Sequence, residues 1–218
     1  MNCKKCNSEH IVKCGLQKNG RQKFKCKSCG KYQQLEYSYN SHSVSDSQII
    51  QLTKEGCGIR STSRILKITP NTVIRRILRI AKCLNRKQPL ISGGIYQVDE
   101  LFTFIGNKNK RVCVAYSFEP NTGKVIDVVV GSRNKTNLRI VIDTLLLSNP
   151  KKITTDKLNI YKEIIPKTIH STKFRGINGI ERMNLNLRTH LKRLSRRSIC
   201  FSKSLMILLS CVRLYFWG

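Results

Sequence analysis

The chain has 218 residues, 40% of them hydrophobic, enough for a sizeable core and for one medium domain beside one or two small ones. Its 41 Lys and Arg against 12 Asp and Glu give a formal charge of +29, which repels itself unless a polyanion neutralises it, so nucleic acid is the expected partner. The N-terminus MNCKKCNSEH has no apolar run and the most apolar stretch, SLMILLSCVRLYFWG, is short, which argues against a secreted or membrane-spanning protein and for the cytoplasm.

Residues 1–40 are poor in aliphatic side chains and hold five of the ten cysteines. Four of them form two Cys-x-x-Cys pairs, Cys3 with Cys6 and Cys26 with Cys29, separated by 19 residues. Two thiolates on one tight turn reach the same tetrahedral Zn2+, and a second such turn closes the site. Gly30 follows the second pair, where the turn favours a residue free to take positive φ. A redox pair would need a strand–helix setting that this segment lacks. His10 and Cys14 lie between the pairs and rank below the four paired thiolates as ligands.

Residues 44–87 read as three short helices. Ser45 or Ser47 caps the first, which runs to about Glu55 before Gly56 and Gly58; GIRSTSRILK forms the second. Thr69–Pro70 starts the third, NTVIRRILRIAKCLNRK. On it Val73, Ile77, Ile80 and Leu84 make an apolar stripe, and Arg75, Arg79, Lys82 and Arg86 follow the same steps about 200° away. One face packs while the other is cationic, as in a helix-turn-helix that inserts its last helix into the DNA major groove. Asn71, Arg75, Arg76, Arg79 and Lys82 are the expected DNA contacts. A linker, 88–94, follows.

Residues 95–218 change to a mixed α/β pattern. IYQVDELFTFIG, RVCVAYSFE and KVIDVVVG are β-type runs separated by turn signals. A helix is expected over about Asn134–Leu147, then a short strand (KKITTD), a helix near Lys157–Ile164, a strand near Pro166–Ser171, and a long helix from about Gly179. The acids are few enough for position to matter. Asp99 falls within the first strand, Asp156 just after the fourth, and Glu181 in the first turn of the last long helix, the only carboxylate between Glu163 and Gly218. A carboxylate inside a strand is costly unless a cation or partner meets it. One just past a strand's C-terminal edge lies where α/β sheets put ligand chemistry. Three carboxylates from separate elements suit a pair of Mg2+ ions that promote phosphodiester displacement. Ile180, Met183, Leu187, Leu191 and Leu194 form the core stripe of the last helix, and Glu181 borders it with Arg188 two turns along the same side. Alternation does not choose between Asp99 and Glu100, because Glu100 shares its parity with Tyr96, Val98, Phe102 and Phe104.

At these residues the chain resembles the transposases of the insertion-sequence-one family, which serve short bacterial mobile elements. The matching stretches are QVDELFTFIG around Asp99, TTDKLNIY around Asp156 and IERMNLNLRTHLKRLSRRSICFSKS from Ile180 to Ser204, with a weaker match over the cysteine pairs and the three helices. The resemblance implies a ribonuclease-H-like catalytic domain (95–218) preceded by a zinc-binding module (1–40) and a helix-turn-helix domain (44–87). It also implies an Asp99–Asp156–Glu181 triad holding Mg2+ or Mn2+, which resolves the choice at Asp99. Arg188 falls at the basic position seven residues after the glutamate, and with Lys192 it is expected to contact DNA. The implied activity is cleavage and strand transfer at terminal inverted repeats, with element ends and target DNA as partners and a homo-oligomer synapsing two ends near the nucleoid. A non-catalytic DNA-binding regulator is the alternative. The tail LMILLSCVRLYFWG departs from the family, whose members continue there with a more polar helix.

Overall fold

The computed structural model describes residues 2–18, 20–34, 44–84, 92–172, 178–195 and 200–218, which fall into two units, Met1–Ser43 and Val44–Gly218. Arg86, the first part of the expected linker (88–91) and residues 196–199, with Arg196 and Arg197 among them, lie outside the described residues.

In the first unit, β1 (Ile11–Leu16), β2 (Gln22–Cys26) and β3 (Tyr32–Gln33) form an antiparallel sheet in the order β1-β2-β3. Its buried apolar side chains among the described residues are Cys3, Phe24 and Cys26. So small a core does not hold a domain without a staple.

The second unit opens with α1 (Asp46–Lys54), α2 (Ile59–Leu66) and α3 (Pro70–Cys83). Ser45 caps α1 in a capping box with Gln48, and Thr69 caps α3 with Pro70 in its first turn. Ile49, Ile68, Val73, Ile77, Ile80 and Ala81 form their shared core. Gly56 ends α1 at φ +78, and a Cβ there would run into the backbone carbonyl of His190. Only glycine permits that approach.

The sheet that follows has the order β6-β5-β4-β7-β8. Strands β4 (Ile95–Ile105), β5 (Asn107–Glu119) and β6 (Lys124–Gly131) form an antiparallel meander, while β7 (Lys152–Thr154) and β8 (His170–Ser171) add in parallel on the other side of β4. On one face, α4 (Lys135–Leu146) and α5 (Asn159–Ile164) cover Tyr96, Val98, Cys113, Ala115 and Ile126. On the other, α6 (Asn178–His190) and α7 (Leu205–Trp217) cover Leu101, Val114, Tyr116 and Phe118. Helices on both faces of a mixed sheet with this strand order make the ribonuclease-H-like arrangement.

The long helix expected from Gly179 is interrupted. α6 stops at His190, whose carbonyl abuts Gly56, and a 3-10 turn at Lys192–Leu194 follows. Leu191 and Leu194 remain buried in the core, so the apolar stripe outlasts the helix that the pattern suggested. The apolar tail has a packing reason. Leu208, Val212 and Trp217 of α7 enter the core against the sheet, and Cys211 and Leu214 enter the core of α1–α3. A helix covered on two sides is apolar nearly all round. The Trp217 indole N–H donates to the Val125 carbonyl at 3.1 Å and fixes the end of the helix on β6. No helix among the described residues is long and apolar enough to cross a membrane.

Candidate functional site

Two groups of potential metal ligands occur among the described residues: the sulfurs of Cys3, Cys6, Cys26 and Cys29, and the carboxylates of Asp99, Glu100 and Asp156. In each, every residue offers an atom within 4.8 Å of the others.

In the thiol group, Cys3 Sγ lies 3.6 Å from Cys29 Sγ, and Cys6 Sγ lies 3.6 Å from Cys26 Sγ. Zn–S bonds of about 2.3 Å in a tetrahedron put the sulfurs about 3.8 Å apart, so the four fit Zn2+. Asn7 and Gly30, each just beyond a pair, take positive φ and turn the chain back. The N–H of Cys29, and then that of Ser28, point at the Cys26 sulfur and bring its pKa down to about 6 against the cost of burial. The N–H groups of Cys6 and Lys5 lower Cys3 in the same way. Backbone donors thus hold two of the four sulfurs towards the thiolate form that a metal requires. His10 and Cys14 are outside the group.

The carboxylate group depends on a gap beside β4. Along β4, strand β7 pairs only with Ile95–Gln97, and the next bridge on that side among the described residues joins Ile105 to Ser202. Asp99 and Glu100 sit in the interval between, with their backbone paired to β5 alone. Their side chains leave opposite faces of the strand, yet both reach the open edge, where Asp156 follows β7. The Asp99 carboxylate accepts the N–H of Glu100 at 2.8 Å and the amide of Asn184 at 2.6 Å. Asn184 is itself held by the Tyr116 hydroxyl at 2.9 Å. Asp156 accepts the Leu158 N–H at 3.0 Å, an Asx turn just past β7 that holds its side chain.

Glu100 is nearly buried and accepts hydrogen bonds from the Tyr161 hydroxyl at 3.0 Å and from Arg133 at 3.4 Å. The same Arg133 nitrogen lies 3.6 Å from Asp156. Burial raises the pKa of both Asp99 and Glu100, and the charge of Asp156 adds to both. Glu181 is exposed on the first turn of α6 and does not join the carboxylate group within 4.8 Å. Its charge nonetheless raises Asp99, and it lies one helical turn before Asn184, the residue that holds Asp99. The carboxylates are a hard-oxygen donor set suited to Mg2+ or Mn2+.

The expected DNA contacts divide into two groups. Asn71, Arg75 and Lys82 are exposed on α3. Arg76 is half-buried, donates to the Val44 carbonyl at 2.6 Å and approaches Asp46 at 3.5 Å. Arg79 makes a two-pronged pair with Asp46 at 2.8 and 2.9 Å. The acid missing from α3 is therefore supplied by α1. On the catalytic side, Arg188 is half-buried on α6 and Lys192 is exposed in the 3-10 turn. Sequence reasoning passed over Asn184, Tyr116, Tyr161 and Arg133. Only Asn184 had a signal, its place between Glu181 and Arg188 on one helix face; the others come from separate elements.

Residues 94–216 match the family model described as IS1 transposase, and residues 37–79 match that of the InsA C-terminal domain. The insertion element iso-IS1n protein InsB of Shigella dysenteriae is 35% identical over 113 residues, 52% of this chain and 86% of that protein. The IS1 protein InsB of Shigella flexneri is 32% identical over 108 residues, 50% of this chain and 82% of that protein. Among solved structures, the catalytic core of BIV integrase aligns with a TM-score of 0.35 at 16% identity, over 56% of this chain and 82% of that one. The HTLV-2 integrase core in complex with magnesium aligns with a TM-score of 0.37 at 16% identity, over 59% and 86%.

Proposed function

The chain belongs to the IS1 transposase family, a family of DNA transposases, and from that premise we propose that it cuts the ends of its element and joins them to target DNA using Asp99, Asp156 and Glu181. The observation that supports this reading is the meeting of Asp99 and Asp156 in the gap beside β4, with the charge of Glu181 on the first turn of α6 felt at Asp99. Divalent cations held there, Mg2+ or Mn2+, would activate the attacking oxygen and neutralise charge on the phosphate. The residues around them do the rest. Asn184 and the Glu100 N–H aim the two oxygens of Asp99, and the Leu158 N–H aims Asp156. Arg188 and Lys192, on and just after α6, hold the strand that is cut. In each step an oxygen of water, or of a DNA 3′-hydroxyl, bonds to phosphorus while the bond to the leaving oxygen breaks.

The other two modules would find the ends. Cys3, Cys6, Cys26 and Cys29 hold Zn2+ and so order the small sheet that carries basic residues to the DNA. On α3, Asn71, Arg75 and Lys82 face the major groove, while Arg76 and Arg79 brace α3 on α1 through Asp46 and reach the backbone only from its margin. A homo-oligomer follows from the need to hold two element ends at once, and the activity belongs in the prokaryotic cytoplasm. Replacing Glu181 by Gln removes one negative charge and leaves the shape of the side chain. Terminal inverted-repeat binding should stay at the wild-type level while cleavage and strand transfer fall by three orders of magnitude or more, on the order seen when essential groups are lost. Normal cleavage by that variant in Mg2+ would remove Glu181 from the site.

A further inference from the structure

Beside the carboxylates, on the α4 side of the sheet, lies a cleft of about 280 Å³ lined by Phe102, Arg111, Val112, Cys113, Ser132 and Arg133. We propose that this cleft is a subsite for one DNA backbone phosphate next to the phosphate that is cut; the proposal rests on the transposase reading above.

Two guanidiniums flank one ring there. The Arg111 guanidinium carbon is 3.9 Å from the Phe102 ring centroid and that of Arg133 is 5.3 Å from it. Stacking uses the face of a guanidinium and leaves its N–H donors free at the edge, the fork that phosphate oxygens accept two at a time. The two arginines differ in what holds them. Arg133 is tied at one end, its Nη2 lying 3.4 Å from Glu100 and 3.6 Å from Asp156, and Tyr161 fixes Glu100 in turn. Arg111 pairs with no carboxylate among the described residues.

Two cations gathered on one ring repel each other, and among the described residues only Arg133 has a paired carboxylate. An anion between them removes that cost. The position defines which anion. Arg133 touches Asp156 with one edge and lines the cleft with the rest, so a phosphate bound there sits one guanidinium away from the catalytic carboxylates. On a DNA strand crossing Asp99 and Asp156, that is a flanking phosphate, and Phe102 offers its sugar an apolar floor. The buried chain from Tyr161 through Glu100 to Arg133 then has a purpose beyond packing: it orients the guanidinium before DNA arrives, which limits the ordering cost of binding.

The test uses the full chain, a duplex carrying the terminal inverted repeat of its element, and the same duplex with single phosphates made neutral as methylphosphonates. In the wild type, one neutral phosphate within about two nucleotides of the cut should weaken binding roughly fivefold to tenfold through loss of its cation contacts. Arg111→Gln should weaken binding of the unmodified duplex by a similar factor, lower the salt slope by about 1, and no longer respond to that one methylphosphonate. Arg111→Lys should keep the slope and recover part of the affinity. An Arg111→Gln protein with the wild-type pattern of sensitivity at every phosphate, and an unchanged melting temperature, would overturn the subsite. Failure of the transposase reading has a separate signature, duplex bound by the wild type and left uncut in Mg2+ or Mn2+.

Discussion

The thiol cluster and the carboxylate cluster share one dimension, ligand atoms within 4.8 Å of one another, and have opposite origins. The four sulfurs come from two tight turns inside residues 3–29, and the turns themselves set most of the geometry: backbone N–H groups aim at Cys3 and Cys26, and positive φ at Asn7 and Gly30 closes each turn. The carboxylates come from neighbouring residues on opposite faces of β4 and from a residue beyond β7, more than fifty positions later. They meet only because β7 stops pairing at Gln97. Local chain geometry builds the first site; the edge of a sheet builds the second. On the reading proposed above, Zn2+ at the first site would hold the fold around it, whereas the second site would gain its metal only once the fold is made.

The largest expected effect tests the first half of that contrast. Removing zinc with a chelator, or replacing Cys26 by Ser, should unfold the β1–β3 sheet, because structural zinc contributes on the order of 10 kcal/mol to domains of this size. Loss of its backbone amide protection in hydrogen exchange is the measurement. The calorimetric transition of Val44–Gly218, with its own cores, should remain. Joint loss of both would break the contrast.

A smaller effect tests the second half. Asn184→Ala takes a donor from Asp99 and the nearer of two acceptors from the buried Tyr116 hydroxyl, which keeps the Ile180 carbonyl at 3.2 Å, so the cost in denaturant unfolding should be about 1 kcal/mol. Since the Asn184 hydrogen bond lowers the Asp99 pKa, its loss should push that pKa further up and weaken Mn2+ binding, measured by electron paramagnetic resonance. Unchanged Mn2+ affinity would mean that Asp99 needs no positioning from α6.

The smallest effect is one of pH. Asp99 and Glu100 have folded pKa values raised by burial, so the fold prefers them protonated. Their contribution is fully present below the unfolded carboxylate value of about 4, and it is lost as pH rises through the raised values. The melting temperature of the second unit should carry a downward slope in that range, flatter in Glu100→Gln, and added Mn2+ should reverse it. A slope unaffected by Glu100→Gln would show that burial of this carboxylate carries no strain.

Much of the second unit was legible because its signals are local. Ser45 and Thr69–Pro70 mark helix starts by capping chemistry, and alternating runs mark β4 to β6. The cationic face of α3 was legible too, but its pairing was not: Asp46, far away in sequence, neutralises part of it. The end of α6 at His190 escaped as well, since periodicity continues through Leu191 and Leu194 while the helix stops against Gly56.

By itself, then, the sequence determined the two Cys-x-x-Cys turns and the order of strands and helices of the second unit, and through its family motifs it singled out Asp99, Asp156 and Glu181 as the carboxylates to test. A pattern with a period of two or of three and a half residues, or a fixed spacing on a turn, is written in neighbouring residues. Tertiary structure alone decided that Glu100 joins Asp99 and Asp156, that Arg133 bridges two of them beside an Arg111 with no carboxylate partner among the described residues, and that the apolar tail is a helix buried on two sides. Those are contacts between elements, and their geometry depends on where one strand ends and which faces remain to be covered.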